Sequence, residues 1–165
     1  MYGGHDYKNL YGNEGVSSMT IWNILSLLTI GGTFPITDTY VLDELKAPYE
    51  IVKEIPGHPD LKGWYSFDTE VIYLDKDLQK DRTSFRYIIA HELIHKFRRE
   101  NGLWTGPDEN NEFEEAVATL GAKQVSEALH MERIRLCNRE LYEHMAKDKA
   151  LLEAIRETLE VIDDR

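Results

Sequence analysis

Within the segment YIIAHELIHKF, Tyr87 to Phe97, two histidines stand four positions apart with a glutamate directly after the first. On an α-helix of 3.6 residues per turn, positions i and i+4 differ by roughly 40° around the axis, so the rings of His91 and His95 leave one face, a turn apart. Imidazoles so placed can share one divalent cation, and zinc is the cation that this pattern suits. Glu92 is turned by about 100° from His91 and lies nearer His95, beside such an ion but outside its ligand set. A carboxylate there can act as base toward a metal-activated water. The bland alternative is a helix carrying two imidazoles with no shared role. That reading leaves Glu92 unpaired among Ile88, Ile89, Ala90, Leu93, Ile94 and Phe97, and burying an unpaired carboxylate is costly.

A tetrahedral catalytic zinc takes three protein ligands and keeps one position open. The extension HExxHxxGxxH is absent, because Arg98 and Asn101 stand where its glycine and third histidine belong. Cys137 is the one cysteine of the chain, which excludes an internal disulfide and any multi-cysteine site. The third ligand is therefore sought in ENNEFEEAVATLGA, where Glu112, Glu114 and Glu115 open a second helix. Two helices joined by a loop of about ten residues can aim the second helix's first turn at the motif on the first. Glu115 is favoured, because Ala118, Thr119 and Ala122 follow it at +3, +4 and +7 and form a small-residue stripe that permits close approach. Glu112 shares part of that face and Glu114 is the third choice; all three stay open. Acids in a first helical turn also complement the macrodipole with no metal involved.

The elements that must position these residues read as α+β. Residues 1–17, rich in glycine, tyrosine and asparagine, form a loop or flexible arm; residues 18–165 form one domain. Ser17 or Ser18 caps a helix over Met19–Thr29, and Pro35–Leu45 permits a second short one. Period-two patterning in YEIVKEI, GWYSFD and EVIYLD predicts three strands in a small antiparallel sheet packed on the HExxH helix, with at least one hairpin. Asp81, Thr83 or Ser84 caps the HExxH helix, which Asn101 and Gly102 end. A helix from Asp108–Asn111 past Leu129, and further helix from Glu132 to Ile162 broken near Cys137 and Asn138, make up the C-terminal part.

Thirty acids against nineteen bases give a formal net charge of −11, which disfavours nucleic acid and anionic membrane as partners. Lys96, Arg98 and Arg99 read as a small solvated basic patch. The most apolar stretch, Met19 to Ile30, falls well short of the roughly 20 residues that span a bilayer. With a single cysteine, the composition points to a reducing, cytoplasmic setting.

The segment from Gly63 to about Val125 resembles the ImmA/IrrE-type metallopeptidases. The likeness lies in the hairpin GWYSFDTEVIYLD, the lead-in SFRYIIAHELIHKF, similar to that family's RF..AHE..H, and a following helix opened by glutamate and alanines. The resemblance implies a zincin-like fold in which His91, His95 and Glu115 bind Zn2+ and Glu92 is catalytic. It also implies hydrolysis of peptide bonds in a regulatory protein such as a transcriptional repressor. Where that family has ExxAN followed by an apolar residue and alanine, this chain has EAVATLGA, with Thr119 and Gly121 as departures. His130, Tyr142 and His144, downstream of the ligands, are candidate oxyanion donors by position alone. A second reading keeps the fold as a catalytically silent zinc-binding interaction or regulatory protein, whose apolar N-terminal helix or acidic C-terminal helices bind a partner.

Overall fold

Alternating apolar residues between Tyr49 and Asp75 form three short strands, β1 (Tyr49–Val52), β2 (Gly63–Tyr65) and β3 (Ile72–Asp75). A computed structural model describes residues 39–107, 111–131, 143–144 and 147–165, all within the compact unit Thr37–Arg165. The arm over residues 1–17, the helix over Met19–Thr29 and the break near Cys137 and Asn138 lie outside the described residues. A short helix, α1 (Tyr40–Glu44), precedes the strands, and a 3₁₀ turn (Lys76–Lys80) follows them. Three longer helices complete the described chain: α2 (Arg82–Glu100), α3 (Glu112–Ala128) and α4 (Lys149–Asp163).

β2 and β3 form the expected antiparallel hairpin, with Tyr65 opposite Ile72 and Gly63 opposite Leu74. The sheet is mixed rather than antiparallel throughout, because β1 lies on the far side of β3 and runs parallel to it, Tyr49 opposite Ile72. Alternation fixes which face of a strand is buried but names no partner. The segment 53–62 between β1 and β2 is long enough to carry the chain across β3's end, so β1 need not form a hairpin. Tyr65, Ile72 and Leu74 point from one face into the core.

Each long helix starts at a side-chain cap. Asp81 accepts from the backbone N–H of Thr83 and Ser84, Asn111 from Phe113 and Glu114, and Asp148 from Ala150 and Leu151. Gly102, in the left-handed region at φ +69°, turns the chain just beyond α2. α2 is the central element: Ile89, Ala90, Leu93, Ile94 and Phe97 are fully buried between the sheet and α3, the latter contributing Val117, Ala118, Leu120, Ala122 and Val125 to the core. α4 adds Leu151, Ala154, Ile155 and Ile162 to that core. The described part of the C-terminal region is thus a packed layer with its apolar face covered.

The three helices converge at Gly121. A Cβ there would stand 3.2 Å from Ile94 Cδ1 of α2 and 3.3 Å from Ile155 Cγ1 of α4. The absent side chain gives those two isoleucines their room, which accounts for a glycine in mid-helix despite its cost of roughly 0.5–1 kcal/mol relative to alanine. Gly121→Leu is expected to lower stability by about 1–3 kcal/mol through overpacking, measured by urea denaturation. A variant as stable as the parent would refute this junction.

Candidate metal centre

His91 and His95 sit on α2 one turn apart, their ring centroids 4.7 Å from each other and their planes near perpendicular at 81°. Both rings direct Nε2 to a common point, with the two atoms 3.1 Å apart. α3 runs antiparallel to α2, since Arg98 meets Glu114 while the earlier Ile94 meets the later Gly121. Its first turn brings Glu115 to the histidines: Oε2 lies 3.2 Å from His91 Nε2 and Oε1 3.3 Å from His95 Nε2. Among the described residues, these three side chains form a possible metal-binding triad, and no fourth His, Cys, Asp or Glu joins it.

The spacing suits a small tetrahedral cation. With metal–donor bonds of about 2.0–2.1 Å, the edge of the coordination tetrahedron is roughly 3.3 Å; the two Nε2 atoms are 3.1 Å apart, and each has one oxygen of the Glu115 carboxylate at a similar distance, Oε2 at 3.2 Å from His91 and Oε1 at 3.3 Å from His95. A side remains open, because the Glu115 side chain is 53% exposed while those of His91 and His95 are nearly covered. The Nδ1 atoms of both histidines are buried without a hydrogen-bond partner. The carboxylate or carbonyl that commonly fixes a ligand histidine's tautomer is therefore not supplied by the described residues.

Glu92 is 5% exposed and lies in the crevice between α2 and the sheet. Gly63 makes this possible: a Cβ on that residue would fall 2.6 Å from Glu92 Oε1 and would also strike Ile88. The Tyr65 backbone N–H donates to the Glu92 carboxylate. Burial pushes the Glu92 carboxyl up to about 7, opposed by His91, reinforced by the charge of Glu115 and opposed again by the Tyr65 N–H. Glu115 moves the other way. Hydrogen bonds with His91 and then His95 hold its carboxyl well below the usual carboxylate range, against the effect of its partial burial. Two carboxylates beside the same imidazoles thus take different chemical roles, one staying ionised as a donor while the other can take up a proton near neutrality.

Several neighbours carry no signal in the motif. Trp104, in the loop after α2, packs edge-on against His95 at 5.4 Å and against Phe67 at 4.8 Å, walling one side of the site. Glu112 is exposed and stands outside the triad. Glu114 is fully buried and bound to Arg98. Lys96 and Arg98 are 6% and 1% exposed, which corrects the solvated basic patch expected there. Position +7 from His91 and +3 from His95 could have indicated Arg98's direction, since that spacing returns to the histidine face. His130 lies just beyond α3, roughly 20 Å along the helix from Glu115, too far to assist at the site. His144 is exposed, and Tyr142 lies outside the described residues.

No protein-family model, curated protein or solved structure matches the chain. The fold and the donor set define a class only coarsely: a mixed α+β domain with a possible metal-binding triad where two helices meet. No helix among the described residues is long and apolar enough to cross a membrane.

Burial of Glu92 gives the metal-free protein a distinctive pH response. A carboxyl whose folded pKa is raised from 4.5 to about 7 adds stability that is fully present below the unfolded value and is lost as pH rises through 7. Chelator-treated protein is therefore expected to lose about 2–3 kcal/mol between pH 5 and pH 8 relative to its Glu92→Gln variant, read by denaturant titration at each pH. A pH-independent difference would show that Glu92 is not held as described. Glu115, whose folded pKa is depressed, acts in the opposite sense: its contribution is present above about pH 4.5 and is lost as pH falls below that.

Proposed function

We propose that this chain is a zinc-dependent metallopeptidase of zincin-like fold. His91, His95 and Glu115 hold Zn2+, and Glu92 is the general base. The observation that supports this best is the convergence of two Nε2 atoms 3.1 Å apart with a carboxylate oxygen of Glu115 within 3.3 Å of each, spacings close to the edges of a zinc coordination shell, with one face toward solvent. Bound zinc would supply Lewis-acid activation of a water and of the scissile carbonyl. Glu92, with its carboxyl near neutrality and steadied by the Tyr65 N–H, takes the proton of the attacking water on its carboxylate and delivers it to the leaving amine. The apolar crevice around Glu92 limits competing solvent.

A peptide substrate suits the sheet as well as the site. β2 is an edge strand, and the bonds Ser66 N–H to Val71 C=O and Asp75 N–H to Lys62 C=O direct the even-numbered residues of this stretch toward β3. Gly63 and Tyr65 therefore turn their backbone groups away from β3, where the Tyr65 N–H meets Glu92 and the groups of Gly63 and the Tyr65 C=O face outward. An extended chain laid alongside them would pass the metal by β-strand addition. The resemblance to ImmA/IrrE-type enzymes makes a transcriptional repressor in the cytoplasm the candidate substrate class.

A second reading, a catalytically silent zinc-binding or regulatory protein, has one observation in its favour. The 3.1 Å separation of the imidazole nitrogens is also a hydrogen-bond length, so the cluster can close on itself without turnover.

Metal analysis and a general peptidase assay on three proteins distinguish the readings. Wild type is expected to hold one zinc and to cleave. Glu92→Gln should keep the zinc and lose about 10²–10⁴-fold in rate, and His91→Ala should lose both. Equal zinc content in all three would overturn the metal site; zinc bound by wild type with no cleavage of any peptide would favour the silent protein.

A further inference from the structure

The first turn of α3 carries two adjacent carboxylates with opposite surroundings: Glu115 reaches the histidines half-exposed, while Glu114 is 0% exposed and turned inward. Consecutive helical positions differ by about 100° around the axis, so whatever fixes the direction of Glu114 also fixes that of Glu115. Glu114 is held by Arg98 of α2. Arg98 Nε donates to Oε2 at 2.6 Å and Nη2 to Oε1 at 3.1 Å, a two-pronged guanidinium–carboxylate pair. Oε1 also accepts from the backbone N–H of Thr105 at 2.9 Å and from its hydroxyl at 2.8 Å.

The other N–H groups of Arg98 are also satisfied. Nη2 donates to the Leu103 carbonyl at 2.8 Å, and Nη1 to the Ala154 carbonyl at 2.9 Å and the Thr158 hydroxyl at 3.2 Å. The guanidinium is thereby fixed against three segments outside its own helix: the loop after α2, the start of α3 and the middle of α4. Its stem leaves α2 on the histidine face, three residues beyond His95.

A buried ion pair of this kind is a weak source of net stability, since a well-packed apolar pair of similar volume often holds two helices as firmly. What it adds is direction, because a fork permits only one relative rotation. We infer that Arg98 and Glu114 are positioning residues for the metal ligand Glu115: their pairing sets the rotation of α3 about its axis, so that the next carboxylate meets both imidazoles. This inference rests on the metal-centre reading and concerns residues that touch neither metal nor substrate.

The test is zinc affinity, measured by competition with a chromogenic chelator, alongside the thermal midpoint of each metal-free protein. Glu114→Gln keeps the shape but weakens the fork, and is expected to bind zinc about 10–100-fold less tightly than wild type. The double variant Arg98→Met with Glu114→Met should melt within a few degrees of wild type yet show the same loss of affinity, a combination that a purely structural role would not give. Thr105→Val, in the exposed loop, removes a single donor to Glu114 and should weaken zinc about fivefold; it keeps the test decisive if the core variants do not fold. Affinity equal to wild type in Glu114→Gln, or in Thr105→Val where Glu114→Gln is unfolded, overturns the positioning role while leaving the metal site intact. Absence of zinc from wild type overturns the site itself.

Discussion

Two imidazole nitrogens and a carboxylate, contributed by different helices, are held within 3.3 Å of one another. All can act as electron-pair donors, and their mutual approach is unfavourable unless a proton or a cation lies among them. The fold around them answers this constraint. α2 supplies the histidines from a helix wedged between sheet and α3, with Ile94 and Phe97 almost wholly buried and little room to shift. α3 is brought close by Ala118 and Ala122, both fully buried, and by Gly121 where the third helix meets the other two. On the side of Glu92 the sheet comes close through Gly63, whose bare Cα lets β2 rest against that carboxylate.

Electrostatic differentiation follows from that packing rather than from residue type. Glu92, Glu114 and Glu115 are the same side chain in three settings. Glu92 lies in an apolar crevice with one backbone donor and is biased toward its protonated form. Glu114 is buried deeper still, yet is answered by a full positive charge at 2.6 Å. Glu115 keeps contact with solvent and with two imidazoles, which biases it toward the anion. An acidic chain with a net charge of −11 thus concentrates chemistry in a few carboxylates whose environments diverge.

Much of this arrangement could be read from local sequence. His91, Glu92 and His95 are set by helical spacing alone, and Asp81 and Gly102 mark the bounds of their helix. The hairpin of β2 and β3 follows from alternation around a tight turn. The small residues after Glu115 signalled a close helix contact, and the structure places Glu115 there. Other features depend on tertiary context that a linear pattern does not encode. β1 pairs in parallel with β3 because of the reach of the 53–62 segment, about which its own alternation says nothing. Arg98 looks like a surface charge in a run with Lys96 and Arg99, because its carboxylate partner lies sixteen positions on. Trp104 stands in what reads as a connector. α4, in the acidic C-terminal part, is joined to the core along the face of Leu151, Ala154, Ile155 and Ile162, and its own period does not name the helices it packs on.

The carbonyl of Ala154, which accepts a hydrogen bond from Arg98, has a consequence for how portable the five-residue motif is. HELIH occupies barely more than a turn, yet its bracing reaches more than fifty positions downstream. Grafting the segment from the hairpin through α3 into another chain would carry every donor atom across and leave the guanidinium short of two acceptors. The unit that can be inherited or transplanted intact therefore extends through Thr158, and small deletions within α4 would take acceptors from Arg98 without touching the histidines.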